Sequence, residues 1–168
     1  MRRLSIVLSF AVAGMALFTA PAAARGPQKN DSVNGHGTVL VGLDTTYEFK
    51  VSAHAISSFT TAATGNMFLD VVYFDEPSGL TIHTQYWADV FCIAVAGGVG
   101  QVRGHVYRTE PDLLSVPTDL VFGVTDAYPY VNQADEFDAA IEDTPSECSV
   151  SPGLYPLAKG QITVNDEL

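Results

Sequence analysis

Positive charge is scarce in this sequence. Eight lysines and arginines stand against 19 aspartates and glutamates, which gives the 168-residue chain a formal net charge of −11. Nucleic-acid binding needs clustered lysine and arginine, and docking on anionic lipid needs the same charges. The shortage therefore argues against both functions. Charged residues of either sign make up only 16% of the chain and aromatic residues make up 10%, which also argues against a wholly disordered protein.

Local catalytic motifs are missing as well. The chain has no Gly-x-Ser-x-Gly turn, no His-Glu-x-x-His segment and no Ser-x-x-Lys pair. The glycine-rich stretch 97–104 has Arg103 where a dinucleotide-binding loop requires its third glycine. We therefore predict no cofactor, no metal site and no catalytic residue, and we favour a non-enzymatic protein over an enzyme.

The N-terminus has the pattern of a secretory signal peptide. Arg2 and Arg3 precede an uncharged run from 4 to 20, and Ala22 and Ala24 supply the small residues of a cleavage site. Cleavage after Ala24 predicts a secreted or extracytoplasmic protein with no membrane span. It leaves 144 residues, and the loss of two arginines moves the formal net charge from −11 to −13.

Only two cysteines are present, Cys92 and Cys148. An even number of cysteines in an exported chain predicts a disulfide. The chain-entropy estimate for closing a loop of this length is about 4 kcal/mol. Two free buried thiols are the alternative.

Helical periodicity is absent after the leader, and alternation with period two takes its place. Between residues 47 and 55, apolar and aromatic side chains alternate with polar ones, which is typical of a half-buried strand. The further predicted strands are 36–43, 67–74, 80–85, 86–96, 99–109, 120–125, 136–142 and 160–164. We predict a signal peptide at 1–24, a flexible lead-in at 25–35 and one all-β domain at 36–168. That domain is an antiparallel barrel or sandwich of eight or nine short strands.

Gly97 and Gly98 predict a two-residue hairpin turn, in which Ala96 faces Val99. Extending this register pairs residues whose numbers sum to 195, and Phe91 then faces Gly104. We expect one face of the hairpin to point to the core: Phe91, Ile93, Val95, Val102 and Val106. We expect the opposite face to carry Cys92, Gln101, Arg103, His105, Tyr107 and Thr109. A slip of one residue would reverse both assignments.

Two sets of polar and aromatic residues share strand parity. His83 shares it with Trp87, and His105 shares it with Tyr107. Such side chains would suit a barrel mouth that binds an organic ligand. A solvent-facing strand surface is the competing interpretation.

Acidic residues cluster late in the chain, around 126–143. Their spacing fits no EF-hand loop, and a solvated acidic surface is the interpretation we favour over a calcium site.

The strand and turn patterns carry a family resemblance. The matching segments include Gly35-His36-Gly37, Tyr47-Glu48-Phe49-Lys50-Val51, Leu80-Thr81-Ile82-His83-Thr84, Phe122-Gly123-Val124-Thr125-Asp126 and Gly160-Gln161-Ile162-Thr163-Val164. On these segments the chain resembles the post-COAP-1-like family of small exported actinobacterial β-domain proteins, from about residue 35 to residue 166. The resemblance implies an all-β fold and export, and it implies no reaction. The chain departs from the family pattern in its two cysteines and in the stretch 111–117.

Three functional hypotheses remain open at this point. The first is an exported non-enzymatic domain that binds a protein or small molecule, or has a structural role in the cell envelope. The second is a small-molecule-binding barrel with ligand-storage, isomerase or hydrolase activity at its mouth. The third is an exported protease inhibitor that presents the loop 111–117.

Overall fold

The computed structural model describes residues 31–56, 61–111, 119–127, 133–142 and 148–166. These residues form eight strands and no helix. The strands are β1 (Ser32–Val41), β2 (Thr45–Ala55), β3 (Ala63–Asp75), β4 (Leu80–Ala96), β5 (Val99–Glu110), β6 (Asp119–Thr125), β7 (Glu136–Glu142) and β8 (Tyr155–Asn165). No helix in this part of the chain is long and apolar enough to cross a membrane. The predicted leader 1–24 and the first residues of the predicted lead-in lie outside it.

The eight strands close into one barrel. Each strand pairs antiparallel with the next along the chain, and β1 pairs with β8 to complete the ring. Closure leaves the sheet without the unpaired edges that an open sandwich would have. The predicted all-β antiparallel fold with one disulfide is confirmed, and the architecture is the barrel.

All the predicted strands are present, most of them with different ends. The stretches 80–85 and 86–96 form the single strand β4, which is 17 residues long and pairs with both β3 and β5. β1 begins at Ser32, four residues before its predicted start, because Val33 continues the alternation into the core while its polar neighbours remain on the outer face. On that face Asn165 donates a hydrogen bond to Ser32.

The hairpin of β4 and β5 follows the predicted register only in part. Gly97 and Gly98 both have positive φ values, 58° and 81°, as the two-residue turn requires. Pairs summing to 195 run from the turn to Cys92 and Arg103, and a bulge at Phe91 then shifts the register by one residue. A second bulge at Tyr107 restores it.

These two bulges correct the predicted faces. The Phe91 ring leaves the core and stacks on the His105 ring, with the ring centres 4.2 Å apart. Val90 takes its place inside, opposite Gly104. Thr109, predicted on the outer face, is buried opposite the inward-facing Tyr86.

The lower part of the barrel interior is filled by side chains. Phe49, Phe122 and Phe137 pack at its centre, where the rings of Phe49 and Phe137 stack with centroids 3.8 Å apart. Below them the interior is closed by small and β-branched residues: Val33, Ala53, Ile93, Val95, Val124 and Val164.

Residues 148–154, the described part of the connection from β7 to β8, lie on the outside of the barrel and are named the outer strap. The disulfide between Cys92 and Cys148 ties the strap to β4, with the two Cα atoms 6.1 Å apart. Gln101 on β5 accepts a hydrogen bond from the backbone amide of Ser149, and Thr125 on β6 accepts one from the amide of Gly153.

Only two residue pairs join β7 directly to β8. Side chains of the β6–β7 loop complete this seam. Asp135 accepts hydrogen bonds from the backbone amides of Ile162 (2.6 Å) and Ala127 (3.1 Å), and Asp126 accepts one from the amide of Val164 (3.0 Å). Two of the late acidic residues therefore close the barrel by pairing with the backbone of β8.

Candidate functional site

An inward-facing cavity of about 330 Å³ opens in the barrel above the three central phenylalanines. It lies at the end of the barrel where β3 ends and β4 begins, which is named the mouth. The described residues that line it come from β2, β3, β4 and β7: Tyr47, Leu69, Val71, Tyr73, Thr84, Tyr86, Ala139 and Ile141. All of them have the same strand parity as the core residues below, so the cavity is the unfilled top of the interior.

The floor of the cavity is solid. Leu69 is buried there and lies opposite Phe49 in the register of β2 and β3. Phe49 in turn packs against Phe122 and Phe137. A ligand entering the mouth therefore stops at the aromatic layer and does not pass through the barrel.

Tyrosine hydroxyls supply most of the polar groups of the mouth, and Thr84 supplies another hydroxyl. Burial raises the pKa of Tyr86 above its ordinary value of 10.0, and the neighbouring Tyr73 adds to the shift. Burial also raises the pKa of Tyr47, with further contributions from Asp138 and Tyr155. Phenols with raised pKa values remain protonated at neutral pH, so each offers an O–H donor and an oxygen acceptor.

The lining favours an uncharged ligand. Among the described residues that line the cavity, none carries a charge at neutral pH. A charged group moved from water into this site would lose its hydration with no opposite charge to compensate. An uncharged molecule with an aromatic or aliphatic body and one or two hydrogen-bonding groups matches both the apolar walls and the phenols.

The predicted ligand face lies elsewhere, on the outside of the barrel. His83 is exposed, with its Nδ1 atom 3.9 Å from the Asp70 carboxylate. Trp87 and Tyr107 line a shared groove on the outer surface, and His105 contacts Asp119 and Phe91. The structure therefore brings Trp87 and Tyr107 together and places neither His83 nor His105 at the mouth.

The bulge at Phe91 explains the placement of His83 and Trp87. One extra residue in β4 turns the inward parity from odd numbers below the bulge to even numbers above it. Tyr86 and Thr84 consequently face the interior, while Trp87 and His83 face solvent. Period-two reasoning carried past the bulge assigns the wrong side to every residue beyond it.

Sequence reasoning missed the tyrosines of the mouth. The usable signal was the parity of Tyr47 and Tyr73 within the two paired strands β2 and β3. Tyr47 alternates with Phe49 and Val51, and Tyr73 alternates with Leu69 and Val71 on the partner strand. Phenols that continue a core face toward the same end of two paired strands indicate the rim of a binding cavity.

A charged cluster lies on the outer face of β5, β6 and β7. Arg103 is only 2% exposed, and its Nη2 atom lies 2.5 Å from Glu142 Oε2 and 3.5 Å from Asp119 Oδ2. The other oxygen of the fully buried Asp119 lies 2.8 Å from His105 Nδ1. The described contacts of His105 are this carboxylate and the Phe91 ring, and neither is a hydroxyl or thiol that an imidazole would activate. The contacts of Arg103 connect β5 to β6 and to β7 on the outside of the barrel.

Metal-ligating side chains do not converge in the described part of the chain. No group of three or more histidine, cysteine, aspartate or glutamate residues there has the arrangement needed to hold an ion. The oxygens of Asp135 already accept backbone amides, as described above.

Comparison with known proteins adds no assignment. Neither the family models, nor the curated proteins, nor the solved structures contain a match to this chain.

Proposed function

We propose that this protein is an exported binding module that holds one small, uncharged organic molecule in the mouth of its barrel. The observation that carries the proposal is the phenol-lined cavity of about 330 Å³ inside a closed eight-stranded barrel. Barrels of this strand number have an interior suited to one small ligand. The volume falls within the range of roughly 300–1,000 Å³ that is usual for small-molecule sites.

Binding without catalysis is the function that this lining supports. Burial raises the pKa values of Tyr47 and Tyr86 above their ordinary value, and the other lining side chains are a third tyrosine, a threonine and apolar residues. General acid–base chemistry is most effective with a group that titrates near the working pH. Isomerase and hydrolase activity at the mouth therefore receive no support from these residues.

The proposal of export rests on two observations. The sequence has a signal-peptide pattern at 1–24, and Cys92 and Cys148 lie at disulfide distance, which is compatible with an oxidising compartment. Membership of the post-COAP-1-like family remains a prediction from sequence. The protease-inhibitor hypothesis depends on the loop 111–117, of which residues 112–117 lie outside the described part of the chain.

The proposal is tested with N-phenyl-1-naphthylamine, an uncharged aromatic amine that fluoresces when it leaves water. We expect saturable binding of one molecule per barrel. Ala139→Leu fills the cavity and should weaken binding at least about tenfold. Ala140→Leu makes the same change on the exposed outer face of β7 and should leave binding unchanged. Absence of saturable binding, or equal binding to both variants, would overturn the proposal.

A further inference from the structure

A second site candidate lies on the outside of β2–β5, on the face that carries Trp87. Four consecutive strands place their side chains in transverse rows here, because the register aligns Lys50 with Phe68, Phe68 with Trp87, and Trp87 with Arg108. The Lys50 ammonium lies 5.8 Å from the centre of the Phe68 ring. The rings of Phe68 and Trp87 are 5.3 Å apart, and the Arg108 guanidinium lies 4.4 Å from the Trp87 ring.

A polar row runs beside this aromatic row. Register aligns Ser52 with Asn66, and Asn66 with Asp89. These three side chains supply a hydroxyl, an amide and a carboxylate, so the row both donates and accepts hydrogen bonds.

Tyr107 closes the side of the space between the two rows. It is the extra residue of the β5 bulge and stands 60% exposed. Bulges redirect side chains and recur beside functional sites. Here the bulge brings a third aromatic ring to the rim of the groove that Trp87 and Phe68 line.

The result is an amphipathic groove of about 450 Å³, the larger of the two spaces described. Three aromatic rings line one part of it, and Lys50, Asn66 and Asp89 line the other, together with Ser52. The charges of Lys50 and Asp89 cancel, so the groove has no net preference for an anion or a cation.

We propose that this groove binds a carbohydrate. A sugar ring has flat patches of C–H bonds that pack on aromatic faces, and a rim of hydroxyl groups that donate and accept hydrogen bonds. The groove offers both kinds of partner side by side. Tyrosine and tryptophan suit this arrangement because each joins an apolar body to a polar end.

The occupant is longer than one sugar ring. Lys50 also lines a neighbouring pocket of about 310 Å³, which continues across β1 toward β8 and is lined by His36, Thr38, Glu48 and Lys159. Two adjoining polar pockets that share one lysine fit successive units of a chain molecule.

Single-stranded nucleic acid also stacks bases on aromatic rings, but the charges here oppose it. The next row on the same face carries Glu48, Asp70 and Glu110, and Asp89 lies in the groove itself. Phosphates along this surface would meet carboxylates on both sides of the aromatic row.

The chain's single tryptophan makes the test direct. Trp87 is that residue, so intrinsic tryptophan fluorescence reports on this groove alone. Hexasaccharides of β-linked glucose, β-linked N-acetylglucosamine and α-linked glucose are titrated into the purified protein. We expect at least one of them to shift the Trp87 emission saturably, and to bind more tightly than its own monosaccharide.

Variants identify the site. Tyr107→Ala and Asn66→Ala should each weaken binding about tenfold, and Tyr107→Phe should restore most of it because the ring is what packs on the sugar. Ala139→Leu, which fills the mouth, should leave sugar binding unchanged, so this proposal and the proposed function fail separately. A melting temperature close to that of the parent protein shows that each variant is folded. Binding of none of the three sugars, or binding insensitive to Tyr107→Ala, would overturn the proposal.

Discussion

Neighbouring inward-facing residues of β4 contribute to different parts of the interior, the packed core and the cavity. Ala88 is fully buried against the core, and Tyr86, one step nearer the mouth, keeps its ring inside while contributing to the cavity lining. Tyr47 and Tyr73 occupy equivalent positions at the ends of β2 and β3. The chemistry of the mouth therefore depends on a few phenols that stand where the apolar filling stops.

Burial of these phenols predicts a pH dependence. The pKa values of Tyr47 and Tyr86 are raised in the folded protein and return to about 10 on unfolding. The folded state then holds more protons between these values, so the stability that these two phenols contribute is fully present below pH 10 and is lost as pH rises through the folded pKa values. We expect tyrosinate absorbance at 295 nm to rise later in the native protein than in urea. Tyr86→Phe should remove part of the late rise, and coincident curves would contradict the prediction.

Among the outer-face residues, we expect substitution of Arg103 to cost the most stability. Replacing it with methionine keeps an unbranched apolar stem, removes the guanidinium and leaves the buried Asp119 without its arginine partner. We expect a loss of about 3–5 kcal/mol in the free energy of unfolding, measured by urea denaturation.

His105→Gln is the matched control for Arg103→Met. It removes the other partner of Asp119, but the imidazole is 58% exposed and Arg103 stays in place. A loss below about 1 kcal/mol is expected. Equal losses for the two variants would show that burial of Arg103 is not what holds the cluster.

At the scale of elements, the local alternation of apolar and polar residues predicts which segments form strands. Pairing with distant strands decides which side chains of each strand point inward. The alternation from 47 to 55, the glycine pair at 97–98 and the stretch 136–142 each carry their own signal, and the structure contains all three. The bulge at Phe91 carries no such signal, because Val90 and Phe91 are both apolar and either would suit the core. The cavity could not be predicted from local pattern either, because its lining depends on which face of β4 points inward above that bulge.

Pairing of β1 with β8 was also beyond sequence reasoning. Ser32 and Asn165 are partners across the closing seam of the ring, and they lie more than 130 positions apart. Nothing in either segment specifies the other, so the sequence is compatible with both a barrel and a sandwich.

The seam between β7 and β8 depends on loop carboxylates. Asp135→Ala would leave the amides of Ile162 and Ala127 without their acceptor, and we expect a loss of about 3 kcal/mol. Hydrogen exchange at the Ile162 amide should accelerate in the same variant. Glu76→Ala, which removes the same charge from an exposed turn, should change neither measurement. Similar results for the two variants would mean that Asp135 acts only through its charge.

The outer strap predicts a strong dependence on the disulfide. Cys92 and Cys148 are 56 positions apart, and closing a loop of that length contributes about 4 kcal/mol in the chain-entropy model. We expect reductant to lower the melting temperature of the parent protein markedly. A variant with both cysteines replaced by alanine should melt at the lowered temperature and should ignore reductant. An unchanged melting temperature after reduction would contradict the prediction.

Across the whole molecule, the two ends of the barrel interior differ in how fully side chains fill them, and one part of the outer surface carries a groove. The lower interior is packed, the upper interior is open and uncharged at neutral pH, and the outer face of β2–β5 carries a groove with aromatic and polar walls. The formal charge of −11 disfavours phosphate-rich partners over all of it. We therefore propose one barrel with an inner site for a small molecule and an outer site for a sugar.

The most direct test of the central claim is tyrosine-ring NMR on protein labelled at its seven tyrosines. Resonances are assigned by single Tyr→Phe substitutions, and N-phenyl-1-naphthylamine is added to saturation. The account predicts that the ring signals of Tyr47, Tyr73 and Tyr86 move while that of Tyr107 stays in place. Movement of Tyr107 with no change at the three inner tyrosines would contradict it.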